Sequence, residues 1–384
     1  MASFKQLSKY NWKVQISLGY KDGKKQLLKK QGFRTKGDAE KFVTETLAQR
    51  NRGYTTTSES NILLKDFITK WFNEYKINTI STNTITNYKS RIDTHIIPKL
   101  GSYQLNKITN MIVQDFYNSL INEGAKASSA KKIIETLSNC LKYARKNKLI
   151  YNLPTDIERV SVQKPKIEFW NKDEVDFCLN EIKDDYLYTP ILFELLTGLR
   201  LGELCGVRWC DIDLNNKYSN VTHQVINDKT NKILLFTDKL KTPTSYRKIT
   251  LPNVLINHLN NIKDNVSDTD FVILSRENTM CNPKNLSTNF SKSISKYKLT
   301  FEDYPESNPE KDSNNYIQLK QINFHSLRHT HATLLIFNGE NIKVVSERLG
   351  HKSITETLDT YTHVMDDMKN NTADLLDDMF NNYK

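Results

Sequence analysis

Cysteines, long apolar runs and acidic residues are all scarce in this 384-residue chain. The five cysteines include no C-x-x-C pair, and neither Cys205 nor Cys210 has a further cysteine or histidine at zinc-site spacing. Neither a structural zinc site nor a disulfide framework is therefore expected. No apolar run approaches the length of a membrane span, and the segment Met1 to Lys5 has no apolar signal core. The sequence predicts a soluble cytoplasmic protein without membrane contact.

The shortage of acidic residues leaves a net charge of +11, from 55 Lys and Arg against 44 Asp and Glu. Residues 1–60 hold 13 basic and 5 acidic side chains, and residues 61–165 hold 16 and 8, so each segment carries +8 and the remainder carries −5. A basic N-terminal half favours a polyanionic partner such as nucleic acid. Basicity that serves solubility alone is the simpler alternative.

The most informative stretch lies in the C-terminal third, between His325 and Tyr361. His325 and Arg328 are three residues apart, which would place both side chains on one face of a helix. Ser326 could cap that helix, and Gly339 could end it. A basic pair on one helical face is a candidate binding site for an anionic group.

A tight corner is predicted between that helix and Tyr361. Gly350 could close a second short helix, and the segment 353–356, Ser-Ile-Thr-Glu, has the pattern of a capping box that opens a third. Tyr361 would then lie on a helix directly after the corner, near His351. Taken singly, a tyrosine or a histidine is far more often a packing or polar residue than a catalytic one.

Upstream, the segment 197–204 reads Thr-Gly-Leu-Arg-Leu-Gly-Glu-Leu. Gly198 permits a sharp turn from which Arg200 would project, and Glu203 would lie one helical turn later, well placed to hold the guanidinium. Strand-like segments at 233–236 and 247–251 flank a lysine-containing connection at 239–246. An Arg–Glu pair at this spacing is also common as a surface ion pair.

In order and spacing, H-x-x-R, L-G-H and T-L-x-x-Y resemble the C-terminal signature of the tyrosine recombinases, the phage-integrase family. T-G-x-R-x-x-E-L resembles the first arginine motif of that family. K-T-x-x-S-x-R-x-I resembles its β-hairpin lysine motif, which assigns Lys241 and leaves Lys239 as the alternative. The resemblance implies that Glu203 is a supporting residue and that the catalytic residues are Arg200, Lys241, His325, Arg328, His351 and Tyr361.

The resemblance implies an integrase of a phage or of an integrative or conjugative element. Such an enzyme breaks and rejoins DNA through a 3′-phosphotyrosyl link and a Holliday junction, and needs no cofactor. Two arginines can fork onto the phosphate oxygens without a metal ion. In this scheme Tyr361 attacks, His325 accepts its proton, Lys241 protonates the leaving 5′-oxygen, and His351 donates a hydrogen bond to the phosphate.

The predicted fold class is α+β, mainly α, in three domains. Period-two runs around Asp22 and Gly23, followed by a helix capped by Thr35, predict a small sheet-plus-helix module over 1–55 that resembles an arm-type DNA-binding domain. Four helices over 61–155 resemble the helical, SAM-like core-binding domain of the family. A mixed α/β catalytic domain with an acidic tail helix is expected over 166–384. Residues 51–61 and 163–166 are predicted linkers, and residues 302–316 a mobile loop.

Several alternatives stay open at this point. His325, His329 and His331 could form the metal cluster of a hydrolytic nuclease, or the chain could be a DNA-binding protein with a decayed site. A type IB topoisomerase or a Xer-like resolvase would use the same chemistry, although the N-terminal module favours an integrase. The expected partners are double-stranded DNA at core and arm sites, a homotetramer on that DNA, an excisionase and a DNA-bending host factor.

Overall fold

The computed structural model describes residues 2–21, 24–51, 62–161, 167–228, 233–297 and 319–369. The chain divides into two compact units, Met1–Lys164 and Pro165–Lys384. In these ranges helices predominate, and the strands form three small antiparallel sheets, so the predicted α+β, mainly α class is confirmed. Within the described ranges, no helix is long and apolar enough to cross a bilayer.

The first unit begins with a three-stranded sheet and one helix: β1 (Ala2–Ser8), β2 (Asn11–Lys21), β3 (Lys24–Phe33) and α1 (Lys36–Asn51). The predicted hairpin is confirmed by the pairing of β2 with β3, although its turn residues 22–23 lie outside the described residues. Thr35 caps α1 as predicted, because its hydroxyl accepts the backbone N–H of Asp38 at 3.1 Å. Strand β1, which the sequence analysis did not predict, pairs with β2.

The rest of the first unit is helical and has a core of its own. Its helices are α2 (Leu64–Lys70), α3 (Thr82–Arg91), α4 (Ile97–Leu100), α5 (Asn110–Asn122) and α6 (Ala127–Lys146). π-helical turns follow α2 at Trp71–Lys76 and α3 at Ile92–Ile96. The second predicted helix was expected to end before Pro98, and that boundary is wrong. Pro98 lies in the first turn of α4, a position at which proline is tolerated.

The second unit surrounds a large apolar core with eight helices in its described part, and two small sheets lie beside them. The helices that precede the sheets are α7 (Lys172–Glu181), α8 (Tyr188–Thr197) and α9 (Leu201–Leu204). The strands are β4 (Ile212–Asp213), β5 (Tyr218–Val221), β6 (Gln224–Asp228), β7 (Ile233–Thr237) and β8 (Arg247–Thr250). The two predicted strands, β7 and β8, belong to different sheets, because β7 pairs with β6 and β8 pairs with β5. Lys241 therefore lies in the connection between the sheets.

The remaining helices of the second unit are α10 (Asn253–Ile262), α11 (Pro283–Ile294), α12 (His325–Phe337), α13 (Ile342–Leu349) and α14 (Ile354–Lys369). Gly339 follows α12 with φ +80° and Gly350 ends α13 with φ +66°, as predicted. The capping role of Ser326 is wrong, because α12 begins one residue earlier. Asn323 accepts the backbone N–H of Ser326 instead, through its side-chain oxygen at 3.2 Å.

The predicted capping box at 353–356, in which Glu356 would accept the N–H of Ser353, is wrong in that partner. Glu356 lies in the first turn of α14, as expected, but its carboxylate accepts the N–H of Lys352 at 3.2 Å. The predicted linker at 51–61, apart from Asn51 in α1, lies outside the described residues, and so do the whole linker at 163–166 and the loop at 302–316. So does most of the predicted tail, whose apolar stripe is Met368, Leu375, Leu376, Met379 and Phe380.

Candidate active site

The site lies where two glycine corners of the second unit meet. Gly198 ends α8 with φ +64°, so the chain reverses and presents Arg200 in extended conformation immediately before α9. Gly350 ends α13 with φ +66° and leads directly into His351. Only glycine adopts this left-handed conformation without steric cost, which explains why both motifs contain it.

Arg200 spans the two corners. Its Nη1 donates to Glu203 Oε1 at 2.7 Å and to Ser245 Oγ at 3.0 Å, while Nη2 donates to the carbonyl of Gly350 at 2.6 Å. The side chain is 23% exposed, so part of the guanidinium can still be reached from solvent. The pairing of Arg200 with Glu203 was predicted; the contact with Ser245 was not.

Glu203 holds a second arginine as well. Its Oε2 accepts from Arg247 Nη2 at 2.9 Å and from the backbone N–H of Arg200 at 3.0 Å, and its side chain is only 2% exposed. Burial alone would raise the pKa of this carboxyl, but the charges of Arg247 and Arg200 and their hydrogen bonds hold the pKa below its ordinary value. Glu203 is thus a buried anion that fixes two cations in place.

Arg328 is buried beneath the same corners, with an exposure of 2%. Its Nη1 donates to the Gly198 carbonyl at 2.6 Å and its Nη2 to the Leu349 carbonyl at 2.7 Å. Burial and the nearby charge of Arg200 lower the pKa of Arg328 to about 10, which still leaves it charged at neutral pH. Arg328 therefore ties α12 to both corners.

His325 lies one turn ahead of Arg328, at the exposed start of α12. Partial desolvation of the imidazole, and then the positive charges of Arg328, Arg200 and Lys241, lower the pKa of His325 to about 4. Lys241 is exposed, and its charge acts on His325.

His351 is oriented by the helix that carries Tyr361. Its Nδ1 lies 2.7 Å from the hydroxyl of Thr357, which is fully buried one turn before Tyr361. Burial and the charge of Arg328 lower the pKa of His351 to about 4, so the imidazole is neutral at pH 7. When the threonine hydroxyl donates to Nδ1, Nε2 carries the proton and can donate to an anion.

Tyr361 lies on α14 with an exposure of 1%, packed beside Ala332, Val345 and Leu349. Its hydroxyl contacts Nδ1 of His329 at 2.8 Å. Burial raises the pKa of Tyr361 well above its usual range, and the charge of Arg328 opposes part of this rise.

Arg200, Glu203, Arg328, His351 and Tyr361 are held at the two corners and on α14, and Lys241 is near enough for its charge to act on His325. Ser245, Arg247 and Thr357 contact these residues directly. They belong to the family motifs, but no role was predicted for them. His329 was considered only as part of a metal cluster. Their positions in the K-T-x-x-S-x-R-x-I, T-L-x-x-Y and H-x-x-R-H-x-H patterns were the available signal.

The three histidines of the metal-nuclease alternative do not converge. The His325 and His329 rings lie edge to face at 5.1 Å, but His331 is buried elsewhere on α12. Its Nδ1 contacts the Leu195 carbonyl at 2.8 Å, and its Nε2 accepts from Arg348 Nε at 3.1 Å. Among the described residues, no group of three or more His, Cys, Asp or Glu side chains is arranged to hold a metal ion.

Comparison with protein families agrees with this geometry. Residues 168–368 match the phage integrase family model, residues 63–121 match the N-terminal SAM-like domain of phage integrases, and residues 4–50 match an arm DNA-binding domain. The chain belongs to the phage integrase family. It is an enzyme of DNA strand exchange, a site-specific recombinase of the integrase type, as the sequence predicted.

Individual relatives of the chain are integrases and tyrosine recombinases. The ICEBs1 integrase of Bacillus subtilis is 28% identical over 310 residues, covering 77% of this chain and 78% of the relative. The integrase of Staphylococcus phage L54a is 25% identical over 365 residues, covering 86% of this chain and 95% of the relative. A XerC-like tyrosine recombinase of Caldanaerobacter subterraneus is 24% identical and covers 96% of both chains. Phage and mobile-element proteins thus occur together among its relatives.

Solved structures show the same fold. The Tn1549 transposon integrase, in complex with transposon right end DNA, has a TM-score of 0.65 at 19% identity and covers 80% of this chain and 99% of its own. A lambda integrase tetramer bound to a Holliday junction has a TM-score of 0.55 at 20% identity, and the match covers 92% of this chain and 96% of the lambda chain.

Proposed function

We propose that Tyr361 is the nucleophile of this recombinase and that Arg200 and Arg328 bind the scissile phosphate. The observation that carries the proposal is the convergence of both guanidiniums on the Gly198 and Gly350 corners, beside the helix that holds Tyr361. Arginine forks match phosphate oxygens and stabilise the negative charge that develops during attack. Such a site needs no metal ion to neutralise that charge.

The remaining residues supply the proton transfers and the orientation. Lys241 is exposed, and its charge acts on His325, which suits a general acid that reaches the leaving 5′-oxygen. His325 is the proton acceptor that the family motifs imply, and His351 would donate a hydrogen bond to the phosphate, since the charges of Arg328 and Arg200 act on it. The product is a 3′-phosphotyrosyl link and a free 5′-hydroxyl. The link conserves the energy of the phosphodiester, so exchange is reversible and needs no ATP.

The domain assignment rests on charge and on separate cores. Residues 1–55 would bind arm sites, residues 61–155 would bind the core site, and residues 166–384 would catalyse. The sheet of the arm module and the helical domain each have their own apolar cluster. Lysines at positions 89, 126, 131, 132 and 142 are exposed on the helical domain. Both domains thus offer basic surface to phosphate.

Recombination of two sites requires that four strands are cleaved and rejoined, for which a homotetramer on DNA is the natural assembly. The lambda integrase tetramer on a Holliday junction supports this by likeness of fold. We propose that the acidic tail beyond 366 docks on a neighbouring protomer, and that an excisionase and a DNA-bending host factor set the direction of the reaction. The substrate is the mobile element that carries the gene, a phage or a conjugative element.

A nicked suicide substrate tests the chemistry. Incubated with the full chain in excess chelator, it should trap a covalent protein–DNA adduct, because the arginines act where a metal ion would otherwise be needed. Tyr361→Phe removes one oxygen and should abolish the adduct while DNA binding persists. Arg328→Lys should also fail, since one ammonium cannot replace the fork. An adduct that persists in Tyr361→Phe would assign attack to another residue, and its loss in chelator would require a metal.

Removal of residues 1–55 tests the arm assignment. The shortened chain should still cleave core-site DNA, because the site and the helical domain are intact, but it should lose integrative recombination. Undiminished integration would show that the module does not bind arm sites.

A further inference from the structure

His329 contacts the atom that is proposed to react. Its Nδ1 lies 2.8 Å from the Tyr361 hydroxyl, with the two ring centroids 5.7 Å apart. His325, to which the sequence analysis gave the proton, lies one helical turn earlier and meets the edge of the His329 ring at 5.1 Å. The histidine in contact with the Tyr361 hydroxyl is thus His329 and not His325.

The chemistry of Tyr361 and His329 favours one direction of the hydrogen bond between them. A neutral imidazole has one acceptor nitrogen, and a phenol in a buried setting must donate its hydrogen to a partner. Tyr361 is 1% exposed, so bulk water has little access to the hydroxyl. The arrangement that satisfies both groups has Tyr361 donating to Nδ1 of a His329 protonated at Nε2.

We propose that His329, rather than His325, accepts the proton of Tyr361 during strand cleavage. This inference rests on the proposed role of Tyr361 as the nucleophile. The phenolic O–H bond breaks as the O–P bond forms, and the proton passes to Nδ1. The P–O5′ bond breaks, and the leaving oxygen takes a proton from Lys241. In the rejoining step a 5′-hydroxyl attacks phosphorus and gives up its proton to the lysine. The P–O bond to Tyr361 breaks, and His329 returns its proton to the tyrosine oxygen.

The surroundings of the two histidines favour this division of work. His325 lies among the charges of Arg328, Arg200 and Lys241, which oppose the gain of a further positive charge. It therefore suits a neutral hydrogen-bond donor to phosphate. His329 lies one turn further along α12, on the side that packs against α14, in direct contact with the hydroxyl whose proton it would accept.

Substitution of His329 by Asn separates basicity from hydrogen bonding. The amide oxygen of Asn can lie close to the position of Nδ1 and accept the phenolic hydrogen, but it cannot take the proton. We expect single-turnover adduct formation on the suicide substrate at pH 7 to slow by about 10²- to 10⁴-fold, with unchanged DNA affinity. The deficit should shrink as pH rises toward 10, because hydroxide can then remove the proton.

His258→Asn is a matched control. This substitution removes an imidazole of the same unit that lies 2.9 Å from the hydroxyl of Thr189, away from the catalytic residues, and should leave the cleavage rate within about 2-fold. His329→Ala gives a second measurement that is independent of how well Asn fits. Added imidazole should restore a large part of its adduct formation, which a merely misfolded protein would not show.

Three results would overturn this inference and leave the proposed function intact. The first is a wild-type cleavage rate in His329→Asn. The second is a loss of rate that is the same at every pH in His329→Asn and is not rescued by imidazole in His329→Ala, and the third is faster cleavage in His329→Asn than in the wild type. The second would make the role of His329 purely structural, and the third would mean that His329 restrains Tyr361. If the wild-type chain forms no adduct, or Tyr361→Phe still forms one, the proposed function fails and this inference fails with it.

Discussion

Replacing Glu203 by Gln should destabilise the protein strongly, because it leaves two arginine charges without their anion. The carboxylate, 2% exposed, lies 2.7 Å from Arg200 and 2.9 Å from Arg247. Removal of one partner from a buried ion pair costs about 3–5 kcal/mol. Gln keeps one acceptor oxygen, so the lower end of that range applies. For a unit of this size, about 3 kcal/mol lowers the melting temperature by about 6–12 °C.

The measurement is thermal unfolding of the full chain by circular dichroism at pH 7, with Asp176→Asn as the control. Asp176 forms an exposed ion pair with Lys172, in which the side chains are 52% and 68% exposed, and its loss should barely move the transition. A second variant, Glu203→Gln with Arg247→Met, removes the unpaired charge together with the anion. It should recover at least half of the lost stability.

The dependence on pH gives an independent check. The pKa of Glu203 is held below its ordinary value of 4.5 in the folded chain. Its contribution to stability is therefore complete above pH 4.5 and is lost as the pH falls through the folded-state value. The difference in melting temperature between wild type and Glu203→Gln should shrink on acidification below 4.5. A difference no larger than that of Asp176→Asn, or one that persists in acid, would refute the reasoning.

Three further predictions concern the surroundings of the site. Gly198→Ala should destabilise the protein more than Gly339→Ala does. Both positions have positive φ, which costs an L-residue about 1–2 kcal/mol, but only at Gly198 would the new Cβ lie 2.5 Å from a ring atom of His331. Equal melting temperatures of the two variants would contradict this prediction. The imidazole resonances of His331 should not titrate between pH 8 and 5 by NMR, since burial lowers its pKa to about 3, and a midpoint near 6.5 would contradict the burial. Thr357→Val should slow adduct formation, because His351 loses the hydroxyl that orients it. The free energy of unfolding should fall by no more than about 1 kcal/mol. An unchanged rate of adduct formation would exclude this role of Thr357.

The sequence predicted best those features that depend on local backbone geometry. Gly339 and Gly350 end their helices because positive φ is a property of the residue itself, and Thr35 caps α1 through a contact three residues away. The boundary at Pro98 was wrong because a π-helical turn moves the proline into the first turn of a new helix. The predicted capping role of Ser326 was wrong because the side chain that accepts a backbone N–H at the start of α12 is Asn323, three residues earlier.

The site residues could be predicted from motif order, whereas their contacts could not. Tyr361 and His329 are 32 positions apart, and nothing in either local pattern specifies that α14 packs its tyrosine against the second histidine of α12. Arg247 and Glu203 meet across 44 positions and two sheets. Such pairings depend on how the helices and sheets pack, which periodicity and capping signals do not encode.

The backbone of the two corners is as much a part of the site as its charged side chains. Arg200, from the first corner, donates to the Gly350 carbonyl of the second, and Arg328 donates to the Gly198 carbonyl of the first and to Leu349 beside the second. These crossed contacts use carbonyls that the left-handed glycines turn away from their helices. Both guanidiniums are thereby held before any phosphate arrives, so binding energy is not spent on ordering two long side chains. A substitution that distorts either corner should therefore impair cleavage even when every charged residue is retained.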